Sequence, residues 1–514
     1  MFLNTGGAPV IRVSSDGQRI SASGPTSWGE PGDGSAGWQW DGSELRAWAG
    51  DGGAPLLYLG SRPDGITVSP SLAAIAHLDR PALDRLAWTT FQYLGYFVGE
   101  DTPFRDIRAL APAAMVVFNR AGLQRSAPRP VYDSEPPSPN SLERFQALMD
   151  RSVRRAAARS EGAVRVELSA GLDSRHVLGQ LRASGVDVAE CVTSFKYPPD
   201  DLDETALARC VADQVGVPWR MVPSPQDRVS AEISAAHVQG LCSDGGAWSL
   251  FRADPSFAPT GPTVWYSGTG GDALTGRLPG GAWLQAPGSD GAASASVDDC
   301  VDRGNFAEAA RMLLARSRRA RTLLPLLARR FDITLAPLDA VVERVAAEIE
   351  VHRRAGDPLA AFLLWNGVRR NVVPAVTGLL RPGDAARLPF MDGEVVHFLL
   401  SLAPRRRYRG FHQAAIAAYP FTAIPTASDA PPARSRRQTL HAFAHVTQFH
   451  RDLAPALYAL GGPSDGLFAD VAALESPRQM ALALTNALQW LMTCRWLDGA
   501  ATPDWREAIG AVPR

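Results

Sequence analysis

Two short segments set an aspartate inside a small-residue turn, and both are built to meet an anion. The first is Leu168-Ser169-Ala170-Gly171-Leu172-Asp173-Ser174, the second Ser267-Gly268-Thr269-Gly270-Gly271-Asp272. In each, a β-branched or aromatic run enters the turn and a helix follows it. Such a helix start presents free N–H groups and the positive end of its dipole, to which Ser169 and Ser174 add hydroxyl donors. Gly171 lets the backbone come close to a phosphate. The G-x-x-x-x-G-K pattern of the Walker loop is absent. A carboxylate in such a turn repels the anion unless a cation lies between them, so Asp173 implies Mg²⁺. Taken alone, the first segment also reads as an ordinary helix entry with Ser and Asp caps. The second, about 100 residues on, changes the weighing: if both strands lie in one open α/β sheet, Asp173 and Asp272 share its carboxyl rim and meet around one Mg-polyphosphate.

The elements that must hold these turns are legible as an alternation. A helix is expected over 141–159, a strand over 163–168, a helix from about 174, a strand over 187–194, a helix over 203–215 and a strand over 264–267. That order defines an α/β unit with a parallel sheet. From about 300 onward the pattern is mainly helical. Residues 1–127 read instead as strands and turns, with a helical stretch near 80–96. Five prolines within 128–140 mark a linker, and residues 280–293 read as a small-residue loop. The expected division is therefore 1–127, the linker 128–140, and 141–514.

Bulk composition narrows the classes. The chain has 514 residues, too many for one core, and 46% hydrophobic with 20% charged residues excludes disorder. A net charge of -1 offers no field for nucleic acid or an anionic membrane, and no apolar run is long enough to span a bilayer. The start lacks the look of a secretory signal. Five scattered cysteines without C-x-x-C spacing suit a reducing, cytoplasmic setting. Lys196 is the one lysine among 52 basic residues, so any role needing a compact ammonium falls to it. His176, in the first turn of the helix after Asp173, reads as packing rather than as a base.

With these motifs in hand, the chain resembles the asparagine synthetases, β-lactam synthetases and lasso-peptide cyclases. S-A-G-L-D-S resembles their S-G-G-x-D-S pyrophosphate loop and S-G-T-G-G-D their S-G-x-G-G-D-E loop. Arg387-Leu388-Pro389-Phe390-Met391-Asp392 is similar to R-x-P-F-L-D, and the segment from Asp203 to the family's stretch after its second strand. In the N-terminal half, Gly53-Ala54-Pro55-Leu56-Leu57-Tyr58 and Gly99-Glu100-Asp101-Thr102-Pro103-Phe104 resemble the glutaminase domain of the same family. The resemblance implies an N-terminal-nucleophile-type α+β sandwich followed by an α/β ATP-pyrophosphatase domain with a helical C-terminal part.

It further implies an ATP- and Mg²⁺-dependent ligase that adenylates a carboxylate and captures it with an amine. Leu168, Ser169, Gly171, Asp173, Ser174, Ser194, Lys196, Ser267, Gly268, Gly270 and Gly271 would surround the nucleotide. Asp173 and Asp272 would hold the metal, and Arg387 would support the phosphates or the fold. The departures are informative. Residue 2 is Phe and the first cysteine is Cys191, so the glutaminase-like half lacks its nucleophile and glutamine-derived ammonia is not expected. Thr269 stands where β-lactam synthetases place a catalytic Tyr, Ala273 and Ala385 where the family carries Glu, and no lysine follows Lys196. Arg434, Arg436 or Arg437 could replace that lysine. The best specific reading is a lasso-peptide macrolactam cyclase acting on a precursor peptide, with a leader-removing protease and a leader-binding protein as partners. A stand-alone synthetase acting on a small-molecule carboxylate with ammonia or a small amine is the alternative, and a nucleotide-binding pseudoenzyme a lesser one. A tRNA-modifying pyrophosphatase is disfavoured by the charge balance.

Overall fold

The computed structural model describes residues 8–15, 19–29, 35–126, 140–159, 161–194, 204–222, 259–275, 299–317, 334–377, 383–403 and 410–426, with isolated positions besides. Lys196, Asp203, the loop 280–293, Arg434, Arg436, Arg437 and all of the linker except Tyr132 and Asn140 lie outside the described residues.

Some strands of the N-terminal half alternate buried and exposed side chains at the period of a pleated strand, as in β5, Leu45–Trp48, where Leu45 and Ala47 are buried and Arg46 is exposed. Ten strands result. β1 (Ile11–Ser15), β2 (Ile20–Ser23), β6 (Tyr58–Arg62), β7 (Gly65–Ser69) and β8 (Ile107–Ala109) form one sheet in the order β2-β1-β7-β6-β8. β3 (Ser27–Trp28), β4 (Gly37–Trp40), β5, β9 (Met115–Asn119) and β10 (Gly122–Ser126) form the other, in the order β10-β9-β5-β4-β3. All their pairings are antiparallel. Ile11, Val13 and Val68 from the first sheet share a core with Trp38, Leu45 and Val116 from the second, which packs the two face to face. Two helices join them. α1 (Leu72–Asp79) is capped by Ser71. α2 (Arg85–Leu94) is the helix expected near 80–96; it starts where the Asp84 carboxylate accepts from Ala87 N–H and stops at Gly95, φ 85°.

The second half carries a five-stranded parallel sheet. β11 (Ala163–Glu167), β12 (Glu190–Ser194), β13 (Trp219–Val222), β14 (Thr263–Ser267) and β15 (Ala385–Arg387) run in the order β13-β12-β11-β14-β15. The expected strands and helices occur within a few residues of their anticipated bounds: α3 is Ser141–Ala158, α4 Leu172–Ala183 and α5 Glu204–Gln214. β13 and β15 were not anticipated from the pattern, and β15 has three residues, too few to show a period. Phe145, Leu148 and Met149 of α3 share a core with Val177, Leu178 and Leu181 of α4.

Helices dominate beyond the fourth strand. A π-helix, Leu363–Val372, sits between the helices Pro358–Phe362 and Val373–Thr377, and its arginines reach the N-terminal half. Arg369, wholly buried, donates to the carbonyls of Gly53 (3.2 Å) and Leu110, and Arg370 to those of Gly99 (2.5 Å) and Asp101 (2.6 Å). Asn366 Oδ1 accepts from Gly99 N–H at 2.5 Å. Leu94, Tyr96 and Val98 join Val341, Ile349 and Phe362 in one apolar cluster, so side chains of both halves fill it. Among the described residues no helix is long and apolar enough to cross a membrane.

Candidate functional site

β11 and β14 are neighbours in register, with Glu167 opposite Ser267, so the turns that follow them emerge side by side at the carboxyl edge of the sheet. At that edge Leu168 N–H donates to Val192 O at 2.9 Å, and its carbonyl accepts from Thr193 Oγ1 at 2.8 Å. With its side chain in the core as well, Leu168 anchors the turn to the sheet. Ser169 N–H donates to Ser174 Oγ at 3.0 Å, Gly171 N–H donates to Ser169 Oγ at 3.1 Å, and the two hydroxyls lie 3.0 Å apart. Helix α4 then begins behind Gly171 with no side chain capping it, which leaves its first-turn N–H groups free to meet an anion. Gly171 has φ −77°, an ordinary value, and a Cβ there would meet only Ser169 Oγ, at 3.2 Å. Its absent side chain opens the turn rather than bending it. Ala170, fully buried, has no positive φ, so a side chain is tolerated in place of glycine.

The glycines of the second turn are required for a different reason. A Cβ on Gly268 would lie 2.6 Å from Ser174 N, and one on Gly271 would lie 2.5 Å from Asp173 Cγ. The second turn therefore rests directly on the first. Ser267 and Thr269 face each other with their hydroxyls 2.9 Å apart, and the short helix Gly271–Thr275 follows.

The structure thus brings Asp173 and Asp272 close enough to act on one another. Asp272 keeps an exposed surface, yet the protein around its carboxyl, and next the negative charge of Asp173, push its pKa from the ordinary 3.8 up to about 6. Neither carboxylate has an Arg or Lys partner among the described residues; the one basic neighbour is His412, whose Nδ1 is 3.2 Å from Asp173 Oδ1. Two uncompensated carboxylates beside an uncapped helix start fit a hard divalent cation shared with phosphate oxygens. Among the described residues there is no group of three or more His, Cys, Asp or Glu that could hold a metal ion.

The other expected residues fall in different places. Ser194 ends β12, one strand over from β11, and is half-buried. Arg387 does not join the aspartates. Its guanidinium donates to the carbonyls of Ala386 (3.3 Å) and Arg159 (3.5 Å), and with Asp51, Arg155 and Asp392 it lines a cavity of about 860 Å³ between the two halves. His176 is fully buried, with burial first and His412 second holding its pKa well below the usual 6.5, so it cannot serve as a charged group at the cleft. His412 itself went unnoticed in the sequence. It lies 236 residues from His176, in the helix Phe411–Ile416, outside any motif, and only the fold brings it to Asp173.

A family model for asparagine synthase matches residues 144–417, more than half of the chain and a span that includes both aspartate turns, Arg387 and His412. The chain belongs to this family, and membership makes it an ATP-dependent amide-forming ligase in general terms. No curated protein matches it.

Proposed function

We propose that the protein adenylates a substrate carboxylate with Mg-ATP and captures the activated acyl group with an amine, releasing pyrophosphate and AMP, and that the amide formed is a macrolactam within a precursor peptide. The observation that carries the first part is the meeting of Asp173 and Asp272 across two touching turns on adjacent parallel strands. Bound Mg²⁺ would neutralise charge that builds on the leaving pyrophosphate. Asp173 and Asp272 would hold the cation. The N–H groups at the start of α4, with Ser169 and Ser174, would hold pyrophosphate. Ser194, Lys196, Ser267, Gly268, Gly270 and Gly271 would line the nucleotide.

The second part rests on the source of the amine. No cysteine occurs before Cys191, and Cys191 is buried within β12, so the N-terminal half has no thiol to release ammonia from glutamine. Thr269 leaves the cleft without the tyrosine of the β-lactam synthetases. An amine carried by the substrate itself fits both facts. The N-terminal sandwich is then a glutaminase-type fold kept as a scaffold. Cys191, Cys210 and Cys300 are free, as suits the cytoplasm where ATP and a nascent precursor peptide are available, together with a leader-binding protein and a leader-removing protease.

The test is to incubate the protein with Mg-ATP and candidate carboxylates, including any short peptide encoded beside its gene, and to read AMP and product mass. AMP release with a peptide lighter by one water, lost in Asp173→Ala and Asp272→Ala, is the expected result. An ammonia or amine adduct would replace the macrolactam reading by that of a stand-alone amide synthetase. ATP binding without AMP from any substrate would refute the ligase reading.

A further inference from the structure

We infer that His412 is a positioning residue, whose Nδ1–H fixes the Asp173 carboxylate in the cleft and ties it to the helix of the second turn. The inference rests on the reading of Asp173 as a metal ligand. Three buried polar groups meet here: His412 is 3% exposed, Thr275 6% and His176 0%. His412 Nδ1 lies 3.2 Å from Asp173 Oδ1 and 2.8 Å from Thr275 Oγ1, and His412 Nε2 lies 3.2 Å from His176 Nδ1.

The donors and acceptors can be assigned by counting protons. The Thr275 hydroxyl donates to Gly271 O at 2.8 Å, which leaves Thr275 Oγ1 to accept from His412. Asp173, as a carboxylate, also accepts, so Nδ1 of His412 carries the proton and is shared between the two oxygens. His412 Nε2 then accepts from His176 Nδ1–H. The remaining ring nitrogen, His176 Nε2, is buried with no hydrogen-bond partner among the described residues, which suits a bare lone pair and would leave an N–H stranded. One tautomer satisfies every donor in the chain His176, His412, Asp173.

The consequence is positional. Asp173 stands on α4, while Thr275 closes the helix that carries Asp272. A single buried imidazole touching both sets the distance between the two turns, and Phe145 and Phe390 hold His176 edge-on behind it, with ring centroids 5.4 and 5.6 Å away. Partners that orient a metal-binding carboxylate are worth about 10- to 100-fold in metal affinity.

The test measures Mn²⁺ binding by electron paramagnetic resonance on the full chain, with a non-hydrolysable ATP analogue present. His412→Asn places an amide N–H near the site of Nδ1, whereas His412→Gln places it near that of Nε2; both are polar and smaller than or equal to imidazole. The expected result is Mn²⁺ affinity within about threefold of wild type for the Asn variant and about tenfold weaker for the Gln variant. Asp173→Asn is the control. If Asp173→Asn weakens Mn²⁺ binding while the Asn and Gln variants behave alike, the positioning role is overturned and the metal reading stands. If Asp173→Asn leaves Mn²⁺ binding unchanged, the metal reading falls and the inference with it. Should His412→Gln fail to fold, His412→Asn against Thr275→Val decides: loss in the Asn variant equal to that of Asp173→Asn refutes the donor assignment.

Discussion

Replacing Asp272 by Asn should stabilise the metal-free protein, although it removes a carboxylate that we propose holds Mg²⁺. The carboxyl's displacement from 3.8 to about 6 is worth about 3 kcal/mol at about 1.4 kcal/mol per pH unit, and screening at its exposed surface reduces this to about 1 kcal/mol. The sign follows from linkage. The folded pKa is raised, so below about pH 3.8 both states are protonated and nothing is lost, whereas above about pH 6 both are ionised and the folded state bears the whole penalty. Asn carries no charge and escapes it. In EDTA at pH 8 the variant should melt about 1–2 °C above wild type, and the gap should close as pH falls from 6 toward 4. With Mg²⁺ and an ATP analogue the order should reverse, because a ligand bound only by the folded wild type stabilises it by mass action. Melting curves at both pH values, with and without metal, decide the matter. A variant no more stable than wild type in EDTA at pH 8, or a gap that does not narrow with acid, would refute the claim that burial and the charge of Asp173 together raise the pKa of Asp272.

The packing of the two turns predicts that Gly271→Ala, whose new Cβ would fall 2.5 Å from Asp173 Cγ, lowers AMP release by about 100-fold with little change in melting temperature, since an ångström's misplacement costs about that much. Arg369→Met strips the Gly53 and Leu110 carbonyls of a buried donor and should cost about 3 kcal/mol in urea denaturation, with loss of contact between the halves seen as faster proteolysis near the linker. Burial pushes the Cys191 thiol up to about 12, so iodoacetamide at pH 8 should label exposed Cys210 and leave Cys191 unmodified until the protein unfolds, as peptide mapping would show.

What could be read in advance follows the range of the forces involved. The turns around Asp173 and Asp272 announce themselves because strand end, glycine and aspartate are consecutive in the chain, and the alternation of strand and helix implies a parallel sheet; that β11 and β14 are neighbours in it is given by the fold. His412, Thr275 and the clasp of Arg369 and Arg370 leave no such trace. Their partners are a carboxylate on a distant helix and backbone carbonyls of Gly53, Gly99, Asp101 and Leu110, and a carbonyl has no letter in the sequence. Nothing in the letters of Leu363–Val372 marks its two adjacent arginines as buried; they are buried because the chain of the other half supplies their acceptors. For Arg387 the motif was plain but left two roles open, phosphate or fold, and its guanidinium turns toward backbone carbonyls and the cavity between the halves rather than toward the aspartates.

That clasp bears on what the N-terminal sandwich does for a chain whose first cysteine is Cys191. A buried guanidinium must be hydrogen-bonded or it costs several kcal/mol. Arg369 and Arg370 find four carbonyl acceptors in the N-terminal half, and Leu94, Tyr96 and Val98 complete an apolar cluster with Val341, Ile349 and Phe362. The same run of chain that holds those arginines contacts the site: the helix Gly271–Thr275 packs on the π-helix Leu363–Val372, and Met391, next to Asp392, lies against Gly270 and Gly52. Removing the N-terminal half would therefore expose the back of the elements that support Asp272. The sandwich is not dispensable whatever chemistry it has, because its backbone is part of the wall against which the cleft is built.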